Sequence, residues 1–552
     1  MRKRLRVTSF LVACLVMAVW LWGCGTGDKY AGAADMMNQS KEEMANTGAM
    51  YGYGTMDAKA VADGLEAMPD WQTEEYDAIE ENGFMPVSLQ PLSTFSADVD
   101  TASYSNIRRM LLHQGMRPEE IPSGAVRIEE MLNYFSYDYE KPKEDEVFGI
   151  TIDGADCPWN EEHGLLRIGI RTEDIDFSEA PKSNFVFLLD VSGSMDMPNK
   201  LPLLKQAFAM LVDNLCEKDR VSIVTYAGSD AVVLDGARGN EKGAILEALN
   251  CLEAGGGTNG SAGIETAYAL AEANFIEGGN NRVILATDGD LNIGQTSESE
   301  LKSIIEKKRK SGIYLSVLGF GDRNLKDNKL ETLADSGNGN YAYIDSLIEA
   351  KRVLVEELGS MLVTVAEDVK FQVEFNPAWI REYRLLGYEN RLLSAQDFTD
   401  DTKDAGEVGA GHTVTVLYEV VWAGQDSETG NHLKYQTTEP ATGEVMEEWA
   451  TLKIRYKDPG VSQSKEIEKA FGAEIYRENV KEADMLLEAS VAEFGMLLRD
   501  SKWKGSSSYE HILGMWSGMQ QDGKEEIAEF LELVRLADEG KTVESPESEP
   551  GE

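Results

Sequence analysis

The fold of this chain is decided by residues 184–195, NFVFLLDVSGSM. Five apolar residues, 185–189, form an uninterrupted run that predicts a strand buried on both faces, and the run stops at Asp190. Ser192 and Ser194 follow in a tight turn before a predicted helix. This order places three oxygen donors beyond the carboxyl end of a sheet, where open α/β sheets bind ligands. Such donors suit Mg²⁺, Mn²⁺ or Ca²⁺ rather than a soft metal.

The sequence around this stretch alternates strands and helices from residue 182 to about residue 365. VSIVTYAG and AVVLDGAR predict a hairpin, and a later apolar strand, VILATD, ends at Asp288. This repeated strand-helix order predicts an α/β domain with a doubly wound, mostly parallel sheet.

Length and charge limit the classes of function. At 552 residues the chain is too long for one hydrophobic core, so we expect two or three domains. The formal net charge of −45 argues against a nucleic-acid binder, because such a surface repels phosphate. An acidic surface instead favours solubility and attracts cations.

The N-terminus predicts a targeting segment over residues 1–24. A basic start, MRKRLR, precedes an apolar stretch of signal-peptide length. It ends at Cys24 in a sequence that resembles the lipobox of bacterial lipoproteins, in which the cysteine sulfur is lipidated. The resemblance implies a lipid anchor on the extracytoplasmic face of the cell membrane, and the alternative is an uncleaved signal anchor. Residues 25–91 lack periodicity and predict a flexible spacer.

Strand patterns occur on both sides of the central domain. Residues 92–181 contain helical stretches and two alternating runs, and residues 366–460 contain further alternating runs. Two strands alone would form a poor core, so we expect both sets to pair in one β-sandwich with the α/β domain inserted between them. The alternative is a sandwich built only from the C-terminal part. Residues 461–540 predict helices, and residues 541–552 an acidic disordered tail.

Several segments resemble a bacterial family of von Willebrand factor type A lipoproteins. Outside the central domain, the resemblance rests on three segments, TFSADVDTASY, AVRIEEMLNYF and YRLLGYENRLL. Inside it, Asp190, Ser192, Ser194, Thr258 in a Gly-rich loop and Asp288 look like the three-part metal-ion-dependent adhesion site of that family. The resemblance covers nearly all of the folded sequence.

The resemblance implies a role for each of these residues. Ser192 and Ser194 would bind the ion directly, Asp190 and Asp288 would supply charge partly through water, and Thr258 would enter or leave the inner shell. The open position would take an Asp or Glu carboxylate from a protein partner. Taken singly, Thr258 is equally consistent with a helix N-cap and Asp288 with a turn.

Catalytic motifs are missing from the sequence. No histidine lies in a GxSxG or HExxH context, and there is no P-loop lysine. The spacing of Gly255, Gly257 and Gly260 matches a dinucleotide fingerprint, but it does not follow the first strand of the domain. We therefore expect a membrane-anchored binding protein that is not an enzyme and that uses a divalent cation, with Mg²⁺ placed before Mn²⁺ and Ca²⁺. The alternatives are a metal-stabilised scaffold and a metal-dependent hydrolase.

Overall fold

The computed structural model describes residues 74–97, 100–174, 181–257, 260–289, 298–322, 325–357, 363–403, 405–424, 447–477, 483–519 and 525–541. The predicted signal segment with Cys24, most of the predicted spacer, Thr258 and the predicted acidic tail lie outside these residues. Within the described part of the chain, no helix is both long enough and apolar enough to cross a bilayer.

The N-terminal region combines short helices with strands that belong to sheets completed later in the chain. Its elements are β1 (Met85–Pro86), β2 (Leu92–Ser96), α1 (Ala102–Arg108), α2 (Ile128–Asn133), β3 (Phe148–Asp156) and β4 (His163–Thr172).

The central domain is a six-stranded sheet with helices on both faces. Its strand order is β10-β9-β8-β5-β6-β7, in which only the edge strand β7 is antiparallel. Two separate apolar cores cover the two faces, as the predicted doubly wound architecture requires. Its elements are β5 (Ser183–Asp190), α3 (Leu201–Asn214), β6 (Arg220–Tyr226), β7 (Asp230–Arg238), α4 (Lys242–Asn250), α5 (Gly260–Ala273), β8 (Asn280–Thr287), α6 (Glu298–Arg309), β9 (Ile313–Phe320), α7 (Asp327–Ser336), β10 (Tyr341–Ile344) and α8 (Leu347–Lys351).

The C-terminal region supplies most of a sandwich and then a group of helices. Its elements are β11 (Thr364–Phe375), β12 (Ile380–Leu386), β13 (Val408–Gly409), β14 (Thr413–Trp422), β15 (Glu448–Lys457), β16 (Ser464–Gly472), β17 (Tyr476–Arg477), α9 (Ala483–Leu498), α10 (Tyr509–Met515) and α11 (Glu525–Lys541).

The two sheets of the sandwich unite strands from both sides of the central domain. One sheet has the order β1-β12-β14-β4-β3-β17, and the other contains β13, β11, β15 and β16 with β2 paired to β11. The join is made by β4 and β14, antiparallel partners in which Ile168 lies opposite Val416. Apolar side chains of both sheets share one core. The predicted insertion of the α/β domain into a β-sandwich is therefore confirmed.

Two boundaries differ from those expected. The range 461–540 does not begin with a helix, because Ser464–Gly472 pairs antiparallel with β15 through a turn at Asp458–Gly460. Lys, Glu and Ala favour a helix there, but the hairpin pairing overrides that preference. Residues 74–91 belong to the folded body, not to the spacer, since the Val87 amide donates to the Arg381 carbonyl at 3.0 Å. Their aperiodic composition gave no signal of this contact.

The C-terminal helices pack with the two N-terminal helices in a third core. Tyr104 and Leu132 from the N-terminal region join Phe494 and Phe530 in this cluster. Helix α9 is buried along nearly its whole length, and its buried residues include the acidic residue Glu488. The C-terminal helices thus pack together, with the early helices as additional partners.

Candidate metal centre

The strand β5 carries Asp190 to the carboxyl edge of the central sheet. The apolar residues 185–189 are buried between the two helical layers, and Asp190 itself is fully buried at the strand end. Its neighbours on both sides, β6 and β8, are parallel to it. A buried carboxylate therefore lies where loops from three parallel strands converge.

The turn after β5 brings the two serine hydroxyls together. The Ser192 amide donates to Asp190 Oδ1 at 2.8 Å, which holds the turn against the carboxylate. A short 3₁₀ turn, Gly193–Met195, then places Ser194 Oγ 3.0 Å from Ser192 Oγ. Ser192 is thus hydrogen-bonded to the buried carboxylate, and Ser194 lies next to Ser192.

The end of β8 brings Asp288 to the same place. Thr287 Oγ1 donates to Asp190 Oδ2 at 3.2 Å, and Asp288 follows directly with its side chain fully buried. The Gly289 amide in turn donates to Thr287 Oγ1 at 3.2 Å. Thr287 therefore ties the two strand ends together, a role that no sequence motif indicated.

The Gly-rich loop lies against the turn after β5. The Gly255 amide donates to the Val191 carbonyl at 2.8 Å, and the Gly193 amide donates to the Gly256 carbonyl at 3.1 Å. Gly256 adopts a left-handed φ of 83°, which glycine accepts without strain. The chain thus reaches Gly257 beside the site, while Thr258 lies outside the described residues, so its place in the centre remains a prediction.

Three family models together match most of the chain. One, described as von Willebrand factor type A domain, matches residues 184–356. A second, described as von Willebrand factor, matches residues 70–167, and a third, described as uncharacterized protein YfbK, C-terminal, matches residues 360–539. The uncharacterized protein YfbK of Escherichia coli (strain K12) is 41% identical over 475 residues, covering 84% of this chain and 81% of that protein.

The chain belongs to the von Willebrand factor type A family.

Other similarities are confined to parts of the chain or are more distant. Human inter-alpha-trypsin inhibitor heavy chain H3 is 26% identical over 195 residues, which cover 33% of this chain and 22% of that protein. Among solved structures, von Willebrand factor type A from Catenulispora acidiphila has a TM-score of 0.39 at 15% identity and covers 73% of this chain and 91% of its own. Domains of this family are typically protein-interaction modules.

The von Willebrand factor type A domain of this chain also places a lysine at the predicted centre. Lys200 immediately precedes α3, is 3% exposed, and donates from Nζ to Asp288 Oδ2 at 2.8 Å. Gly321, with a φ of 75°, makes room for it, since a Cβ there would lie 2.3 Å from Lys200 Cε. Sequence reasoning missed Lys200, because a single lysine before a helix carries no motif; only the approach of the β9 loop reveals its burial.

Electrostatics at the centre favour a cation next to Asp190. The pKa of Asp190 is raised to about 6, chiefly by burial and to a smaller extent by the nearby Asp288, although hydrogen bonds from Ser192 act to lower it. A desolvated carboxylate of this kind gains from a positive charge beside it. Two hydroxyls and two carboxylates are hard oxygen donors, so the residues present fit Mg²⁺, Mn²⁺ or Ca²⁺.

The centre differs from sites built from many charged ligands. Among the described residues, no group of three or more His, Cys, Asp or Glu side chains converges in a way that could hold a metal ion. Here the two carboxylates of Asp190 and Asp288 share the site with hydroxyls and with Lys200. With both carboxylates ionised, these charged groups leave one net negative charge, which a divalent cation would convert to one net positive charge.

Proposed function

We propose that this chain is a membrane-anchored, extracytoplasmic binding protein that captures a protein partner through a divalent cation. The cation would be held by Asp190, Ser192, Ser194, Thr258 and Asp288, with Mg²⁺ placed first and Mn²⁺ or Ca²⁺ as alternatives. When bound, the ion supplies an electrophilic position for an oxygen ligand.

The observation that carries this proposal is the pair of serine hydroxyls, 3.0 Å apart, beside the buried carboxylate of Asp190. Two neutral hydroxyls bind an ion without neutralising it, so its charge remains available to an incoming anion. Ser192 and Ser194 would bind directly, and Asp190 and Asp288 would lower the cost of placing the ion there. The described partners of Asp190 are consistent with this, because both of its oxygens are already oriented by donors.

The charge balance also supports a carboxylate as the partner group. Lys200 neutralises one of the two site carboxylates, so a loaded centre carries a net positive charge. An Asp or Glu of the partner would be attracted to it at short range. Because the whole chain carries −45, and screening limits attraction beyond roughly 8 Å, we expect a partner with basic residues around that single carboxylate.

The membrane anchor is part of the same proposal and rests on the sequence alone. Cys24 would carry the lipid, and the stretch up to residue 73 would separate the folded part from the bilayer. Replacing Cys24 with Ser should release the protein from the membrane fraction and abolish incorporation of a radiolabelled fatty acid. Retention of the Cys24→Ser variant by membranes would favour an uncleaved signal anchor.

A second candidate function is a scaffold in which the ion only closes the loops. Contacts within the chain already join these loops, because Thr287 bridges β8 to Asp190 and Lys200 holds Asp288. If the loops are held this firmly without an ion, partner capture need not depend on one.

The two functions differ in what Asp190→Ala does to partner capture. Full-length protein is crosslinked in intact membranes with Mg²⁺ and, in parallel, with chelator. The proposal expects a crosslinked partner that is lost with chelator and in Asp190→Ala, and retained in the exposed control Asp213→Ala. Capture that survives both treatments would instead support the scaffold. Hydrolysis of a phosphate or peptide substrate that Asp190→Ala abolishes would support an enzyme.

A further inference from the structure

One buried arginine lacks the kind of partner that the others have. Seven arginines in the described ranges are buried, with exposed fractions of 7% or less. Six of them contact a carboxylate, as buried charges normally do. The pairs are Arg108–Asp345 at 2.6 Å, Arg109–Glu74 at 2.9 Å, Arg127–Asp327 at 2.7 Å, Arg167–Asp153, Arg352–Glu349 at 2.6 Å and Arg384–Glu419 at 2.8 Å.

Arg282, in the first half of β8, is the exception. It is 5% exposed, and its Nη1 donates to the hydroxyl of Ser316 at 2.7 Å. Within the described ranges its Nε has no hydrogen-bond partner, and the centre of the Tyr314 ring lies 5.5 Å from the guanidinium carbon. No carboxylate of the described chain lies within ion-pair distance of this guanidinium. The positive charge of Arg282 is therefore only weakly compensated.

The guanidinium of Arg282 borders a cavity of about 260 Å³ between the central domain and the sandwich. The lining is mainly polar and includes the amides of Asn338, Asn340 and Asn390. His412 also lines it, and burial lowers the pKa of this imidazole to about 4, so it is neutral near pH 7. The cavity thus offers several neutral hydrogen-bonding groups around a single uncompensated cation.

The two carboxylates in the same lining have other partners. Asp335 accepts from Arg391 Nη1 at 2.8 Å, and Glu407 accepts from the Asn338 amide. The pKa of Arg282 is lowered to about 10, chiefly by burial, and the charge of Glu407 opposes this shift by raising the pKa. Glu407 is therefore near Arg282 without contacting it.

We propose that this cavity is an anion-binding site, in which Arg282 binds an oxyanion, either a carboxylate or a phosphate group, on a small molecule. The planar guanidinium presents parallel N–H groups that match two oxygens of such a group. Ser316 orients the guanidinium, and the asparagine amides supply further donors. The volume admits inorganic phosphate or a small organic acid and excludes a folded partner. This site lies toward the amino end of β8, so it does not depend on the metal centre at the carboxyl end.

The test uses the full chain after metal removal, with inorganic phosphate and acetate as separate probes at constant ionic strength. Calorimetric titration should give saturable binding of at least one probe, and the stronger probe identifies the oxyanion class. Arg282→Met should weaken binding by at least about tenfold, because it removes a charged donor. The control Arg238→Met alters an arginine whose side chain is 63% exposed and should change nothing.

Thermal unfolding in anion-free buffer distinguishes a loss of anion binding from a loss of folding in Arg282→Met. The proposal expects Arg282→Met to melt at the same or a higher temperature than the wild type, since it removes an uncompensated buried charge. Glu407→Gln should strengthen anion binding. The proposal would be overturned if neither probe showed saturable binding, or if Arg282→Met bound the anion as tightly as the wild type. It would also be overturned if Arg282→Met and Glu407→Gln both lost stability, because Glu407 would then be the counter-ion of Arg282.

Discussion

The two ends of strand β8 treat buried charge in opposite ways. At the carboxyl end, Asp288 is fully buried and its charge is met by Lys200 at 2.8 Å. Toward the amino end, Arg282 is 5% exposed, and among the residues that the structure describes its guanidinium is hydrogen-bonded to the hydroxyl of Ser316 and lies near the ring of Tyr314. Only five residues, 283–287, lie between an acidic centre that suits a cation and a basic cavity that suits an anion.

Burial of a charged side chain does not by itself mark a binding site in this chain. A buried charge with a partner inside the chain, such as Arg384 with Glu419, contributes to structure. A buried charge whose compensation is incomplete, such as that of Asp190 or Arg282, would be stabilised by an ion of opposite charge from the solvent. Substitutions that change the balance at one end of β8 should therefore affect one kind of ligand only.

The largest effect is expected from Lys200→Met. Without metal, this change leaves Asp288 buried without its lysine partner and should lower the free energy of unfolding by about 3 kcal/mol. Mg²⁺ affinity should rise about tenfold, because the centre gains net negative charge. Urea denaturation and calorimetry measure the two effects.

Lys205→Met is the control, since Lys205 donates to the Leu252 backbone carbonyl at 2.6 Å. A parallel fall in stability and Mg²⁺ affinity would assign Lys200 to the fold alone.

Asp190→Ala should have the next largest effect, confined to the cation end. Loss of this carboxylate should weaken Mg²⁺ or Mn²⁺ binding by more than about 100-fold. Mutation of groups that only hydrogen-bond to metal ligands already lowers metal affinity by about 10- to 100-fold. The melting temperature without metal should fall, because the buried Ser192 amide and Thr287 hydroxyl lose their acceptor, so Mg²⁺ binding is measured at a temperature at which both proteins are folded. Anion binding at Arg282 should also be unaffected, as measured by calorimetric titration with inorganic phosphate. If Asp190→Ala abolished both kinds of binding, the two ends of β8 would not be independent.

A third prediction concerns an incompletely compensated buried acid away from β8. Burial raises the pKa of Glu488 to about 8, although Arg167 and the hydroxyl of Tyr139 contact its Oε1. In the unfolded chain Glu488 loses its proton near pH 4.5, whereas in the folded chain it keeps the proton until about pH 8. The contribution of Glu488 to the free energy of unfolding is therefore complete below pH 4.5 and is lost as the pH rises toward 8. Between pH 6 and pH 7, we expect about 1 kcal/mol less stability from this group, given a limit of about 1.4 kcal/mol per pH unit.

Glu488→Gln should make the stability of the chain less dependent on pH in that window. Urea unfolding of the wild type and the variant at pH 5.5, 6.5 and 7.5 gives the two slopes, and the exposed Glu510→Gln is the control. Equal slopes for the wild type and Glu488→Gln would show that Arg167 fully compensates the buried carboxylate.

The smallest effect is expected where the charges are exposed. Lys326 contacts Glu75 at 2.7 Å, with side-chain exposures of 16% and 47%, and attaches the segment that precedes β1. Lys326→Met should lower the free energy of unfolding by less than about 1 kcal/mol, because water and salt screen such a pair. Chemical denaturation at low and high salt measures this. A loss as large as that of Lys200→Met would remove the distinction between buried and exposed pairs.

Local signals were sufficient for the elements that carry the metal centre. An apolar run that ends at Asp190 predicted a buried strand, and its parallel neighbours follow from the strand-helix alternation. A sandwich shared by strands from both sides of the inserted domain was also expected, because two isolated strands need partners, whereas the pairing of β4 with β14 is seen only in the structure. The strand Ser464–Gly472 was predicted as a helix, since its composition favours helices and only the hairpin with β15 overrides this.

The sequence by itself determined the α/β class and indicated Asp190, Ser192, Ser194 and Asp288 as candidate metal ligands, because strand periodicity and a short motif are local properties. The tertiary structure alone decided which charges are compensated. Lys200 meets Asp288 because the β9 loop leaves room at Gly321, and Arg282 lacks a carboxylate because the sandwich places Glu407 out of its reach. Compensation depends on distances between residues far apart in the chain, and such distances exist only after folding.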